Sequence, residues 1–203
     1  MSRLAAVVVL LAGCSREPEK PATPEWPPRL DKPYPDLELV DQTGQKVKLS
    51  SFKGRVMLVE AVGMNCPACQ AFAGAHEAGG FEGITPQKGL SSIEKLFAQH
   101  AGVPFGTDRL VFVQVLLYSM SMKAPTADDA RRWAEHFGME RSSDRVVLAG
   151  EPWLLGTASY DLIPGFQLVD RNFVLRSDST GHQPRHNLYT HLLPMAGRLV
   201  EGE

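Results

Sequence analysis

The chain has 203 residues, of which 43% are hydrophobic and 22% charged, and its formal net charge is −2. This length and composition are typical of one globular domain with a substantial core. A charge balance so close to neutrality argues against a nucleic acid or an anionic membrane surface recognised by charge alone. No segment reaches the roughly 18 apolar residues that a membrane-spanning helix needs.

The N-terminus has the pattern of a bacterial export signal. After the basic Arg3, an apolar run from 4 to 13 is too short to span a bilayer and is typical of a signal sequence. The run leads into LAGC (11–14), which resembles a bacterial lipobox. This resemblance implies a lipoprotein signal peptide over 1–13 and a lipid on Cys14, which anchors the protein in the cell envelope, facing the periplasm or the cell exterior. The alternative is an ordinary secretory signal in which Cys14 occurs by chance.

Residues 14–35 are predicted to be the lipidated cysteine followed by a tether. Seven of the chain's 15 prolines fall between 15 and 35, and neither a helix nor a central strand accommodates that density. An extended tether of this length would reach roughly 65 Å, at about 3.1 Å per residue. The globular domain is then predicted to span 36–203.

Strands and helices are predicted to alternate through the globular domain, which indicates an α/β fold with a sheet covered by helices. Alternating strand residues around a turn indicate hairpins, runs rich in Val and Leu indicate buried strands, and capping residues mark helix ends. The predicted elements, in chain order, are a hairpin over 37–49, a buried strand over 55–63, a helix beginning at Pro67, a helix within 91–102 with a capping box of Ser91 and Glu94, a buried strand over 109–119, a helix from the N-cap Thr126 to Gly138, a short strand over 145–150, a hairpin of 165–170 with 173–178, and a helix over roughly 188–200.

The sequence Cys66-Pro67-Ala68-Cys69 lies between a predicted buried strand and a predicted helix. A disulfide that closes so short a loop adds only about 2 kcal/mol or less to stability, so a structural role explains the pair poorly. A sulfur at a helix N-terminus has a lowered pKa and is the better nucleophile. Cys66 is therefore the predicted nucleophile, and Cys69, one turn on, is the thiol that resolves a mixed disulfide. This redox-active pair needs no bound cofactor.

Glu60 is a carboxylate within the apolar strand, six residues before Cys66. Burial would raise its pKa and allow it to carry a proton to or from Cys69. The alternative is a strand-end glutamate paired with Lys53 or Arg55.

These residues resemble the thioredoxin superfamily, in particular the membrane-tethered TlpA/ResA-type thiol-disulfide oxidoreductases of bacterial envelopes, over about residues 36–200. Glu60 matches the family's buried acid, and IPGFQLVD (163–170) matches the segment that carries its cis-proline, with Pro164 as the candidate. The resemblance implies a thioredoxin-like fold, which has a central mixed sheet flanked by helices and here an N-terminal hairpin and an insertion after the start of the Cys66 helix.

The resemblance also implies the partners. The substrates would be protein thiols or disulfides, such as those met in cytochrome c or oxidase maturation, and a membrane electron donor or acceptor would complete the cycle. The cis-proline would let the backbone pair with the substrate, so Pro67, Ile163 and Gly165 are candidate substrate contacts. The direction of electron flow is left open, since the two residues between the cysteines tune the reduction potential widely.

The chain departs from the family pattern at three places. Asn65 stands where Trp usually precedes the first cysteine, and Gly165 stands where Thr commonly follows the cis-proline. The Gly-rich stretch 73–89 is longer than a plain thioredoxin needs. It is interpreted as a substrate-shaping insertion beside the active site, with a lengthened surface loop as the alternative.

A copper-delivery protein of the Sco type is the main competing interpretation. Such proteins share this fold and tethering, but they use a Cys-x-x-x-Cys pair and a histidine, whereas this chain has Cys-x-x-Cys. Soft or imidazole ligands could come from Met64, Met120, Met122, His182 and His186.

Other classes have less support in the sequence. A peroxiredoxin-like peroxidase needs Thr three residues before its cysteine, where this chain has Gly63. A structural zinc site needs four ligands, and one Cys-x-x-Cys supplies two. A binding module with an idle disulfide stays open, whereas GTASYD (156–161) lacks the nucleophile elbow of a hydrolase.

Overall fold

A seven-stranded mixed sheet forms the centre of the protein in the computed structural model, which describes residues 24–202. Its strand order is β2-β1-β5-β4-β3-β6-β7, in which β3, β4 and β5 run parallel and the other pairs are antiparallel. The predicted mixed sheet and both hairpins are confirmed. The strands are β1 Glu38–Asp41, β2 Lys46–Lys48, β3 Val56–Gly63, β4 Leu110–Tyr118, β5 Arg145–Ala149, β6 Gly165–Val169 and β7 Leu175–Thr180.

Helices flank this sheet, as the alternation predicted. Helix α4 packs on β5 and β1, and α6 packs on β3 and α3. No helix within 24–202 is both long enough and apolar enough to cross a membrane. The helices are α1 Pro67–Ala73, α2 Ala75–Ala78, α3 Ile93–His100, α4 Ala127–His136, α5 Thr157–Tyr160 and α6 Leu193–Glu201, with a π-helical turn at Leu188–Leu192 and 3-10 turns at Leu49–Phe52, Phe81–Gly83 and Pro152–Leu154.

The two central strands place polar side chains inside the core. Every residue of β3 and of β4 is buried. In the parallel register, Glu60 of β3 lies directly beside Gln114 of β4. Because side chains alternate along a strand, residues paired in this way point to the same face of the sheet. On that face Gln114 contacts Trp133 of α4, and Glu60 lies near enough to Cys66 and Cys69 to interact with their charges.

The predicted tether is shorter than its composition suggests. The predicted signal peptide over 1–13, Cys14 and the first part of the predicted tether lie outside the described residues. Downstream, Tyr34 is buried and donates its hydroxyl hydrogen to Gln167 Oε1 at 2.7 Å. Trp26 Nε1 donates to Ser159 Oγ at 2.7 Å, and Pro33 forms a β-bridge with Val174. The aromatic side chains in this proline-rich stretch have apolar surface to bury, so the packed domain begins near residue 26 and not at 36.

Two predicted helix caps have different outcomes. Thr126 caps α4 as predicted, since its Oγ1 accepts from the Asp129 amide at 3.1 Å and the Asp129 carboxylate accepts from the Thr126 amide at 2.8 Å. The predicted capping box of Ser91 and Glu94 is wrong. Helix α3 begins after Ser92 without a side-chain cap, and the Glu94 carboxylate instead forms an ion pair with Arg145. The Glu94 carboxylate is thus engaged in a tertiary ion pair and does not form the capping box.

The Gly-rich segment interrupts the first helix and folds beside it. Helix α1 ends at Gly74, which has a φ of 105° that favours glycine. The buried Gln70 side chain then binds both backbone groups of Phe81, its Oε1 accepting from the amide at 2.8 Å and its Nε2 donating to the carbonyl at 3.2 Å. The segment returns to the start of α1, where the Gln87 amide donates to the Pro67 carbonyl at 3.0 Å.

Candidate active site around Cys66 and Cys69

Cys66 is the N-cap residue of α1, and Pro67 occupies the first helical position. Its Sγ accepts from the Cys69 amide at 3.4 Å, and the side chain is half-buried. The pKa of the Cys66 thiol falls to about 6, chiefly because the Cys69 thiol donates to it, with help from the backbone amides of Cys69 and Ala68 and from His182, against the desolvation that opposes ionisation. Cys66 is therefore ionised at neutral pH, as a nucleophile requires.

Cys69 has the opposite properties. It is fully buried, and its Sγ lies 3.9 Å from the Ala61 carbonyl oxygen. Burial raises the pKa of the Cys69 thiol well above its ordinary value, and the bond to Cys66 and the charges of Cys66 and Glu60 raise it further. Two cysteines three residues apart thus differ in both accessibility and protonation. The half-buried, ionised Cys66 thiol can attack first, and the buried Cys69 thiol needs a proton acceptor before it can react.

Glu60 lies in the core behind the dithiol. Burial raises the pKa of Glu60 to about 8; the hydrogen bond from Gln114 opposes this rise and the charge of Cys66 adds to it. The predicted alternative of an ion pair at the strand end is wrong. Lys53 Nζ lies over the Phe173 ring instead, and the Arg55 guanidinium donates to the Ser143 carbonyl.

A buried chain of hydrogen bonds holds the Glu60 carboxyl. Gln114 Nε2 donates to Glu60 Oε2 at 2.7 Å, and Gln114 Oε1 accepts from Trp133 Nε1 at 3.0 Å. All three side chains are fully buried. Glu60 Oε1 has no hydrogen-bond partner among the described residues. One carboxyl oxygen is therefore fixed and the other is available for a proton.

Cys66 opens into a cleft of about 280 Å³. Two of the substrate contacts predicted from the family, Pro67 and Ile163, line it together with Cys66 and the cis-proline Pro164, whereas the third, Gly165, is not part of its wall. Four further wall residues had been singled out in the sequence: Asn65, the candidate copper ligands Met122 and His182, and Gln87 in the predicted insertion. The remaining ones come from separate segments with no shared motif and were not predicted to line the site; they are Gly63, Ala68, Tyr118 and Tyr160.

The proline that the family pattern singled out is in the expected conformation. The peptide bond between Ile163 and Pro164 is cis. The next residue has to be glycine, because a Cβ at Gly165 would lie 2.2 Å from the Thr180 Cα and 2.9 Å from the Leu162 carbonyl oxygen. Close approach of β7 thus accounts for the departure from the common Thr, and Gly165 supplies backbone without a side chain.

The departure at Asn65 also has a structural counterpart. Its Nδ2 donates to Met122 Sδ at 3.1 Å, across the mouth of the cleft. Met122 adopts a φ of 59°, which is costly for a residue with a side chain. In place of a tryptophan, the residue before Cys66 therefore holds a loop methionine at the edge of the site.

The candidate copper ligands are not all brought together. Met64 is fully buried, and His186 Nδ1 is hydrogen-bonded to Ser177 Oγ at 3.0 Å. Met122 and His182 lie in the cleft with Cys66. Within residues 24–202, no three His, Cys, Asp or Glu side chains form a group that could hold a metal ion.

Comparison with solved structures identifies the fold. A protein from Aquifex aeolicus VF5, provisionally described as an electron transfer protein, is 16% identical with a TM-score of 0.56, and the match covers 86% of this chain and 100% of that one. A thiol:disulfide interchange protein from Bacteroides sp. is 16% identical with a TM-score of 0.52, covering 86% and 92%. BsSco, of the Sco family of cytochrome c oxidase assembly proteins, is 14% identical with a TM-score of 0.52, covering 87% and 96%.

At these identities the likeness defines the fold alone. No protein-family model matches the sequence, and no curated protein matches it. The chain has the thioredoxin-like fold, as its residues predicted. Its chemistry has to be argued from the side chains that surround Cys66.

Proposed function

We propose that the protein is a lipid-anchored, extracytoplasmic thiol-disulfide oxidoreductase that acts on the cysteines of other proteins. One observation carries this proposal: an accessible thiol of lowered pKa, Cys66, opens into a cleft, and a buried thiol of raised pKa, Cys69, lies one helical turn behind it. A structural disulfide needs no such division between two cysteines.

In the reducing direction, the Cys66 thiolate attacks one sulfur of a substrate disulfide. The substrate S–S bond breaks, its other sulfur leaves as a thiolate, and a mixed disulfide forms. Cys69 then gives its proton to the Glu60 carboxylate and attacks Cys66 Sγ, which releases the second substrate thiolate. Two electrons pass to the substrate, and a Cys66–Cys69 disulfide remains. A pKa of about 8 lets Glu60 accept and return a proton near neutral pH.

We further propose the reducing direction in the cell, from the resemblance to TlpA/ResA-type proteins. The clients would be protein thiols in cytochrome c or oxidase maturation, and a membrane donor would keep Cys66 and Cys69 reduced. The reduction potential of the pair tests this direction, measured by equilibrating the full-length chain with glutathione. A value near or below that of thioredoxin, about −270 mV, supports a reductase, a value near −120 mV reverses the direction, and the absence of a reversible two-electron couple overturns the proposal.

Lipid anchoring at Cys14 is part of the proposal and has its own test. Since Trp26 packs on the domain, eleven residues (15–25) separate Cys14 from the packed chain, and they reach no more than about 40 Å when fully extended. The domain would then stay close to the bilayer. We expect the natural chain to fractionate with membranes and Cys14→Ser to lose this. A Cys14→Ser variant that still fractionates with membranes contradicts the anchor.

Copper delivery remains the second candidate, favoured by one observation. Met122 and His182 share the cleft with Cys66, so a soft metal ion there would find sulfur and imidazole donors. Titration of the reduced chain with Cu(I) tests it. A tight one-to-one complex that abolishes the two-electron couple would assign the site to copper, and a couple unchanged by Cu(I) would exclude this function.

A further inference from the structure

The Gly-rich segment is joined to helix α1 at the two residues that directly follow the cysteines. After the first cysteine, the Pro67 carbonyl accepts from the Gln87 amide at 3.0 Å. After the second, the Gln70 side chain binds Phe81, its Oε1 accepting from the amide at 2.8 Å and its Nε2 donating to the carbonyl at 3.2 Å. The reactive first turn of α1 is therefore bonded to the segment at both of its ends.

A third hydrogen bond joins Gln70 to the turn that carries the nucleophile. Gln70 Nε2 also donates to the Met64 carbonyl at 2.8 Å, two residues before Cys66. The Met64 amide donates to the Tyr118 carbonyl of β4 at 2.9 Å, and the Cys66 amide donates to the Gly63 carbonyl at 2.9 Å. The backbone between β3 and α1 is therefore held by β4 on one side and by Gln70 on the other. We call the three hydrogen bonds of the Gln70 side chain the Gln70 bridge.

The position of Gln70 in the core gives the bridge its rigidity. The side chain is fully buried, and both its Oε1 and its Nε2 are hydrogen-bonded. Burying an amide costs free energy unless its polar atoms find partners, which an apolar side chain of the same size would not need. A buried polar group whose bonds are all made specifies one arrangement of the backbones that it joins. Here those backbones are two irregular stretches, one beside Cys66 and one at Phe81.

We infer that Gln70 is a positioning residue, which holds Cys66 in its reactive geometry by joining the turn before it to the Gly-rich segment. This inference rests on the proposed function, in which Cys66 is the attacking thiolate. Gln70 is not part of the cleft wall, so it acts through the Met64 backbone and not on the substrate. Cys66 Sγ accepts from the Cys69 amide at 3.4 Å, and this bond depends on how the turn lies relative to α1. A turn released from Gln70 would stabilise the thiolate less.

The test is the pH profile of Cys66 alkylation in Gln70→Leu. This substitution removes all three bonds of the bridge at a similar side-chain volume. The full-length reduced chain in mild detergent reacts with iodoacetamide at a series of pH values, and mass spectrometry assigns the modified cysteine. We expect the midpoint of the Cys66 profile to move up by about half to one pH unit, the size that partial loss of one hydrogen bond to the thiolate would give.

Gln42→Leu is the matched control. Gln42 is also buried, its Nε2 donates to the Met139 carbonyl at 3.0 Å and its Oε1 accepts from the Val147 amide at 3.0 Å. It follows β1, which β5 and β4 separate from β3, so its bonds do not reach the turn before Cys66. Thermal unfolding should show a loss of stability in both variants. Only Gln70→Leu should change the alkylation profile, whereas a purely structural role of Gln70 predicts the natural profile in both.

The outcomes separate this inference from the proposed function. A folded Gln70→Leu with the natural profile overturns the positioning role and leaves the proposed function standing. Equal shifts in Gln70→Leu and Gln42→Leu also overturn it, because loss of stability alone would then be sufficient. If the natural chain itself shows alkylation of Cys66 only at the ordinary pKa of a thiol, the proposed function loses its nucleophile and the inference fails with it.

A second variant tests the bridge from the other side if Gln70→Leu does not fold. A Cβ at Gly80 would lie 1.7 Å from the Ile84 carbonyl oxygen, so Gly80→Ala displaces the turn at Phe81 and leaves Gln70 unchanged. We expect the midpoint of the Cys66 profile to move in the same direction as in Gln70→Leu. A natural profile in Gly80→Ala would overturn the inference.

Discussion

The Cys66 side and the Cys69 side of the dithiol differ in their access to solvent and in the groups that surround them. In front of Cys66 lies a cleft whose wall comes from five separate segments and includes the exposed side chains of Met122 and Tyr160. Behind Cys69 lies a closed chain of buried polar groups, in which Glu60, Gln114 and Trp133 are joined by hydrogen bonds of 2.7 and 3.0 Å. The cleft can contact substrates of different shape, whereas the buried Glu60 carboxyl can accept one proton.

This difference explains how one helical turn supports two chemical roles. The front stabilises negative charge on Cys66 through hydrogen bonds from the helix start, so its pKa falls to about 6. The back withholds water from Cys69 and Glu60, so both keep their protons to higher pH. In the proposed reaction, attack is therefore controlled by access to Cys66, and release of the product is controlled by proton transfer from Cys69 to Glu60.

Substitution of either cysteine should have the largest effect on thiol-disulfide exchange. We expect Cys66→Ser to slow reaction with a disulfide peptide by at least about a thousandfold, because the attacking thiolate is gone. Cys69→Ser should still attack, but the mixed disulfide should accumulate because no thiol resolves it. Mass spectrometry of the quenched reaction distinguishes the two. Mixed disulfide at Cys69 in the Cys66→Ser variant would reverse the assigned roles.

The raised pKa of Glu60 should make a large contribution to the pH dependence of stability. Its folded pKa of about 8 lies above the ordinary 4.5, so its contribution is fully present below pH 4.5 and is lost as pH rises to 8. Cys66 acts in the opposite sense, because its folded pKa of about 6 lies below the ordinary 9.0. The difference in unfolding free energy between the natural chain and Glu60→Gln isolates the glutamate, since both keep Cys66.

We expect that difference to fall by at most about 5 kcal/mol between pH 4.5 and 8, at about 1.4 kcal/mol for each pKa unit. Urea unfolding of the reduced proteins across this range measures it. A difference that does not change with pH would mean that Glu60 titrates at its ordinary pKa. The same variant should slow the resolution of the mixed disulfide by Cys69.

Substitutions in the hydrogen-bonded chain of Glu60, Gln114 and Trp133 should have an intermediate effect on stability. Gln114→Ala leaves the Trp133 indole N–H and one Glu60 oxygen without their partner, and each buried unpaired group costs about 1–3 kcal/mol. Trp133→Phe removes one donor only and should cost less at the hydrogen bond. Since the Gln114 hydrogen bond lowers the pKa of Glu60, Gln114→Ala should also raise that pKa. A Trp133→Phe variant with the same upward change would place the control in the indole.

The sequence was sufficient for the parts of this site that lie within one element. The buried position of Glu60 followed from an apolar strand, and the place of Cys66 at a helix start followed from Pro67. Gln114 could not be assigned to Glu60, because their contact depends on the register between β3 and β4. The sequence of two parallel strands does not specify the register between them.

Part of the cleft wall and the N-terminal boundary were missed for related reasons. Tyr118 and Tyr160 come from separate elements with no shared motif, so only the folded chain shows that they line the cleft beside Cys66. The prolines near Trp26 and Tyr34 correctly exclude regular structure, but they do not exclude packing. Aromatic side chains in a proline-rich stretch were the available signal that this part contacts the domain.

Substitution of His182 should have the smallest effect, a small change in the pKa of Cys66. His182 is the weakest of the contributions that lower the pKa of Cys66, whereas the hydrogen bond from Cys69 is the strongest. The rate of Cys66 alkylation by iodoacetamide as a function of pH reports this pKa. We expect His182→Gln to move the profile slightly to higher pH, and Cys69→Ala to move it much further toward the ordinary value.

His186→Gln is the matched control, because this histidine lies in the same loop but bonds to Ser177 and is not among the main groups that lower the pKa of Cys66. Its alkylation profile should coincide with that of the natural chain. A shift in His182→Gln as large as that in Cys69→Ala would mean that the charge in the cleft, and not the helix start, sets the pKa of the nucleophile. Cys66 would then depend on the cleft loops for its lowered pKa as well as for substrate contact. The proposed separation of roles between the Cys66 side and the Cys69 side would be wrong.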